Sequence, residues 1–124
     1  MVDEKRPPPS PSPPPPPPSP RPLFPLREIL RAVVLKIVKS EGEIHGLSVY
    51  EKVKEKYGIE IPKPVIYRTL RSLEADGFLV SRWKVEESGP AKRMYRITDE
   101  GEEYLKHVIE RIRKMVKLIE KLVK

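Results

Sequence analysis

Apolar residues recur at three- and four-residue spacing from Leu26 to Ser40, where Leu26, Ile29, Leu30, Val33, Val34, Ile37 and Val38 form the broad stripe of a core-facing helix. Glu41-Gly42-Glu43 interrupts the pattern, and Ile44-His45 is long enough only for a stub of strand. A second helix opens at Gly46, with Leu47, Tyr50, Val53 and Tyr57 on one face, and Gly58 stops it. After the turn Ile59-Glu60-Ile61, Pro62 and Pro64 pre-set the backbone for a third helix ending at Gly77. Its core stripe is Ile66, Leu70 and Leu73; at 100° per residue, Pro64, Arg68, Arg71 and Ala75 point the opposite way. The period then changes. Phe78 to Val85 is β-prone, Gly89-Pro90 marks a turn, and Lys92 to Thr98 returns as the second strand of a hairpin. Thr98 is placed to cap a last helix, with Asp99 and Glu100 in its first turn.

That last helix carries Leu105, Ile112 and Ile119 seven residues apart, interleaved with Val108, Met115 and Leu122, and a third apolar column at Ile109, Val116 and Val123. These are the a and d positions of nearly three heptads, in a stripe wider than a two-stranded seam requires. The small preceding domain is too short to cover such a stripe, so a second copy of the chain is expected to pair along Leu105, Val108, Ile109, Ile112, Met115, Val116, Ile119 and Leu122. Fold-back onto the chain's own domain is the alternative.

Composition separates a tail from this body. Thirteen of the sixteen prolines precede Leu26, and the Pro/Ser tract from Pro7 to Pro25 has no apolar face to bury, so residues 1–25 are expected to be disordered or polyproline II. Residues 26–98 then form one mainly α domain with a small β-hairpin, and residues 99–124 a dimerisation helix. The net charge of +7 favours a polyanionic partner, and the tail is not its source, because 22 basic and 16 acidic residues fall within 26–124. The absence of cysteine excludes disulfides, thiolate metal sites and cysteine nucleophiles. His45 and His107 lack ligand partners at metal spacing, and no cofactor is expected. No stretch approaches a membrane span, no signal-peptide core is present, and a cytoplasmic protein is expected. The six glycines lie at helix ends and turns, not in a phosphate loop, and no nucleophile–base set is evident, so the chain does not read as an enzyme.

Three helices followed by a basic hairpin make a winged helix-turn-helix, whose third helix suits the major groove and whose wing suits the DNA backbone. Lys63, Arg68 and Arg71, with Ser72 beside them, serve the helix; Arg82, Lys84, Lys92, Arg93 and Arg96 serve the wing and its strands. The segment HGLSVYEKVKEKYGIEIPKPVIYRTLRSLEADGFLVSRW, followed by GPAKRMYRITDEG, resembles the PadR family of bacterial and archaeal transcriptional regulators from about Leu30 to Leu105. The resemblance implies a DNA-binding homodimer, a repressor on a pseudo-palindromic operator, and a phosphate contact from Tyr67. Lys92 and Arg93 fall where the family's wing is basic, and Trp83 where it has a packing residue. The chain departs from the family at Pro64-Val65, where Gly-Thr is usual, losing a hydroxyl and a backbone N–H that can hold phosphate. Arg68 replaces a frequent proline and adds a charge. A small-molecule effector is left open, and a winged helix that binds an acidic protein partner is the rival reading.

Because the Pro/Ser tract offers nothing to bury, a chain shortened to begin at Phe24 should keep its melting temperature and its state of assembly. A loss of several degrees in a thermal melt would show instead that the tail docks on the domain.

Overall fold

The computed structural model describes residues 11–14 and 26–124. The expected disordered tail lies outside the described residues except for 11–14, which are exposed and without regular structure. The body runs α1 (Leu26–Glu41), β1 (Ile44–His45), α2 (Gly46–Tyr57), α3 (Lys63–Ala75), β2 (Leu79–Lys84), β3 (Lys92–Ile97) and α4 (Asp99–Val123). All four helices and both hairpin strands fall where the periodicity puts them. The hairpin also gains a third strand: β1 pairs antiparallel with the outer edge of β3, Ile44 opposite Tyr95 and His45 opposite Met94, giving the order β1-β3-β2.

Helix α1 is the hub, packing against α2, α3, β3 and α4. Val34, Leu35, Ile37 and Val38 are buried on its inner sides, where they meet Val49 and Val53 of α2 and Ile66, Leu70 and Leu73 of α3. Gly58 ends α2 in the left-handed region at φ 65°, a conformation that costs glycine least. Gly77 does the same after α3 at φ 82°, which lets the Phe78 N–H reach back to the Leu73 carbonyl at 2.9 Å.

That turn is clasped by the start of α4. The Thr98 hydroxyl donates to the Gly77 carbonyl at 2.7 Å and accepts from the Gly101 N–H at 3.0 Å, while the Thr98 N–H donates to the Phe78 carbonyl at 3.1 Å. Gly101 must be glycine here, because a Cβ on it would stand 2.1 Å from the Phe78 carbonyl oxygen. One turn further along, Tyr104 stacks on Phe78 with ring centroids 4.2 Å apart. Arg31 of α1 lies over both rings, donates to the Tyr104 hydroxyl at 3.2 Å and pairs with Asp76 at the end of α3. This buried guanidinium joins α1, α3 and α4, and its Nε has no partner among the described residues.

Helix α4 runs antiparallel to α1, as the pairs Lys39–Glu102 and Glu28–Arg111 require. Leu105 and Val108, expected in the stripe that pairs two copies, are instead buried in the chain's own core, because α1 covers this half of α4. Ile109 and Ile112 are partly buried against the same core. The cover ends for a geometric reason: at 1.5 Å per residue, the 25 residues of α4 span roughly 37 Å and the 16 of α1 roughly 24 Å. Past Met115 the apolar column emerges, with Val116, Ile119 and Leu122 exposed, Leu122 to 83%.

The clasp predicts a sharp stability effect. Gly101→Ala should lower the unfolding free energy by about 1–3 kcal/mol, the usual cost of forcing extra volume into a packed contact. Thr98→Ala should cost about 1 kcal/mol through the lost cap. Urea titrations followed by circular dichroism measure both, and a Gly101→Ala midpoint equal to that of the parent chain would mean the junction opens freely.

Candidate nucleic-acid interface

Helix α3 begins with Pro62 at its N-cap and Pro64 in its first turn, so its opening orphan N–H groups are fewer than usual and no acidic side chain compensates its positive end. Its inner face is fixed by Ile66, Leu70 and Leu73, and by Thr69, whose hydroxyl donates to the Val65 carbonyl at 2.8 Å. Geometry then leaves Pro64, Arg68, Arg71 and Ala75 exposed on the opposite side, as the sequence expects, and Lys63 exposed at the start of the helix. The Lys63 ammonium lies 5.3 Å from the Tyr50 ring centroid. Ser72 is off this face, half-buried and accepting from Arg27 at 3.3 Å.

The wing's cations are in a different condition. Arg82 makes two hydrogen bonds to the Glu43 carboxylate, at 2.8 and 2.5 Å, and Arg96 stands 4.0 Å from the same group. The bond from Arg82 holds the Glu43 carboxyl below its ordinary range, against a smaller upward push from burial, and raises the arginine in turn. Arg93 bridges the wing to α3, donating to Glu74 at 2.8 Å and to the Ser81 hydroxyl at 2.9 Å, while Ser81 donates to Glu74. Lys92 pairs with Glu86 at 3.7 Å. Among the described residues, Lys63, Arg68, Arg71 and Lys84 take part in no ion pair. The sequence lists these cations together, and the fold divides them: those of α3 and Lys84 are available, whereas Arg82, Lys92 and Arg93 already hold acids.

Between α3 and the sheet lies a cavity of about 190 Å³ lined by His45, Gly46, Tyr67, Arg71, Arg93 and Tyr95. A Cβ on Gly46 would stand 2.8 Å from the Tyr67 ring, so glycine at the start of α2 sets how deeply that ring sits. Burial pushes the Tyr95 hydroxyl up, partly offset by Arg93, so it stays a neutral donor in ordinary conditions. Arg93 in this lining is paired with Glu74, so Arg71 is the guanidinium that the hollow offers to an anion, with no carboxylate among the lining residues. A second, more open hollow of about 330 Å³ is lined by Glu41, Glu43 and Glu86 with Lys52, Lys84 and Lys92, and its charges balance. The anion-facing side of the domain is therefore the α3 side.

Two features escaped the sequence reading. The acids Glu43, Glu74 and Glu86 that hold the wing cations come from β1's approach, α3 and the wing loop, and only the folded register brings them together. Trp83, expected as a packing residue, is instead 62% exposed near the end of β2, because the sheet there runs past the body that would cover it.

Comparison with known proteins agrees with this architecture. A transcriptional regulator of Mycobacterium tuberculosis, Rv3488, is 38% identical over 79 residues, which cover 61% of this chain and 72% of that protein. The structure of a transcriptional regulator from Clostridium thermocellum superposes with a TM-score of 0.71 at 28% identity, covering 79% of this chain and 93% of the other. A PadR family transcriptional regulator from Eggerthella lenta gives the same TM-score and identity over 79% and 84% of the two chains. Bacillus subtilis PadR, solved in complex with operator DNA, matches with a TM-score of 0.60 at 26% identity over 65% of this chain and 46% of its own. The sequence profile of the PadR-like family of transcriptional regulators matches residues 34–107, and with the four helices and winged sheet in place, the chain belongs to that family.

Proposed function

We propose that the chain is a cytoplasmic, sequence-specific DNA-binding regulator that acts as a homodimer, a repressor on a pseudo-palindromic operator. The observation that carries this reading is the exposed face of α3, where Arg68 and Arg71 stand opposite the buried stripe and neither forms an ion pair among the described residues, the neighbouring Glu74 being held by Arg93. An unpaired guanidinium on a groove-sized helix is the group that reads guanine through its O6 and N7. Bacillus subtilis PadR, a structural relative, was solved with operator DNA, which supports the same use here.

Lys63 and Lys84 serve as phosphate contacts, and Tyr67 and Arg71 border an anion-sized hollow that a backbone phosphate fits. Lys92 exchanges Glu86 for phosphate on binding. Arg93 and Arg82 orient the wing more than they neutralise DNA, since leaving Glu74 or Glu43 would strand a carboxylate beside the polyanion. Two copies join through the part of α4 that α1 leaves bare, around Met115, Val116, Ile119 and Leu122. A two-fold dimer of this kind addresses half-sites about one helical turn apart, roughly 10 bp.

Selection of bound sites from random duplexes tests the reading and yields the operator; recovery of no enriched sequence would favour an acidic protein as the partner. Arg68→Ala should cost about 1–3 kcal/mol on the best site and relax one base position, whereas Lys84→Ala should weaken cognate and scrambled duplexes alike and lower the salt slope by about one. Equal losses for Arg68→Ala on both duplexes would reduce α3 to a backbone contact. For assembly, Ile119→Glu combined with Leu122→Glu should give a folded monomer by light scattering, and an unchanged dimer mass would refute pairing through α4.

A further inference from the structure

The core does not account for the apolar surface on the wing. Trp83 on β2 stands directly opposite Arg93 on β3 and is 62% exposed; Val85, just past the strand, is also exposed. Side chains alternate along a strand, so Leu79, Ser81 and Trp83 share one face of the sheet with Ile97, Tyr95 and Arg93. The root of that face is buried, at Leu79 and Tyr95. Its middle is tied to α3, because Arg93 and Ser81 both bond Glu74. Trp83 is the next residue outward, with the Arg93 guanidinium carbon 5.8 Å from its ring centroid. The indole therefore lies on the α3 side of the wing, on the side where Arg71 and Arg93 line the anion-suited cavity.

We propose that Trp83 is a DNA-contact residue, its free ring face resting on a deoxyribose beside the groove that α3 enters and its Nε1–H donating to a phosphodiester oxygen. The inference rests on the reading of the chain as a DNA-binding protein. Two observations select DNA as the occupant. The ring stands beside Arg93 on the face turned toward α3, whose Arg71 takes part in no ion pair among the described residues, and the one acid bonded on that face, Glu74, is already held by Arg93 and Ser81. A tryptophan has the right mixed character for a sugar–phosphate strand, an apolar body with one polar donor. Arg93, held by Glu74 and Ser81, is the positioning residue: it backs the indole from one side and leaves the other side open. A second copy of the chain already has separate apolar surface to cover, on the far half of α4.

Trp83 is the single tryptophan, so its emission reports this position alone. The full-length chain is titrated with mixed-sequence duplex DNA at low salt, binding being followed independently by the anisotropy of a dye on the DNA. At saturation, quenching of Trp83 by acrylamide should fall severalfold. Trp83→Ala should weaken binding on the order of tenfold, Trp83→Phe should lose less, and both should melt like the parent, since the side chain is mostly outside the core. If anisotropy reports binding while acrylamide reaches Trp83 as before, the inference fails and the DNA-binding reading stands. If the anisotropy never rises, both fail together. Protection that grows with protein concentration in the absence of DNA would assign the ring to a contact between copies and overturn the inference.

Discussion

The relation between the winged domain and its last helix hangs on one close approach. The first turn of α4 passes so near the carbonyl of Phe78 that only a glycine fits at 101, and Thr98, which caps that turn through the Gly101 N–H, ties it to the turn after α3 with two hydrogen bonds. Arg31 closes the junction from the α1 side, its guanidinium over the stacked Phe78 and Tyr104 rings and paired with Asp76. A buried cation is stable only while its partners hold, and removing one leaves an uncompensated charge that typically costs about 3–5 kcal/mol. The ends of α3, β2 and α4 are consequently one rigid corner.

The charges follow a second logic, in which neutralisation stiffens one element and its absence arms another. On the wing, acids from outside the hairpin hold Arg82 and Arg93, so the sheet is fixed to β1 and to α3 by ionic contacts in addition to its ladder. Exposed pairs of this sort add little stability, but a bidentate arginine fixes direction well. On α3 the one nearby acid, Glu74, is taken by Arg93 of the wing, and the helix's own cations remain available for a polyanion. A net charge counted along the chain does not distinguish the two populations.

Most of the architecture was legible in the sequence because it is local. The stripes of α1 and α3, the glycine that ends α2, the Thr98 cap and the two long strands are each written within about fifteen residues. What was not legible is long-range. The pairing of β1 with β3 joins residues some fifty positions apart, and Ile44-His45 carries no mark of its partner. Leu105 and Val108 read as part of a pairing stripe because heptad spacing is the same whether a helix meets its own domain or another copy; only the lengths of α1 and α4 decide where one cover ends. Trp83 misled for a similar reason: alternation gives its face, but not how far the sheet extends beyond the body. For the site, the α3 arginines could be read from the helical period, whereas the acids that occupy the wing's arginines could not.

The overhang of α4 has a consequence for how the helix itself behaves. Beyond Met115 it is extended from a packed half, so it needs no new nucleus, and each further residue adds only the near-neutral free energy of propagation. Its last two turns have little from their own chain to prevent fraying. Amide exchange along α4 should therefore fall into two regimes, slow where α1 covers it and fast beyond, and the boundary should move toward Val123 when the bare apolar column is covered. The end of the helix is in that sense its own gauge of occupancy, read from the backbone without any label.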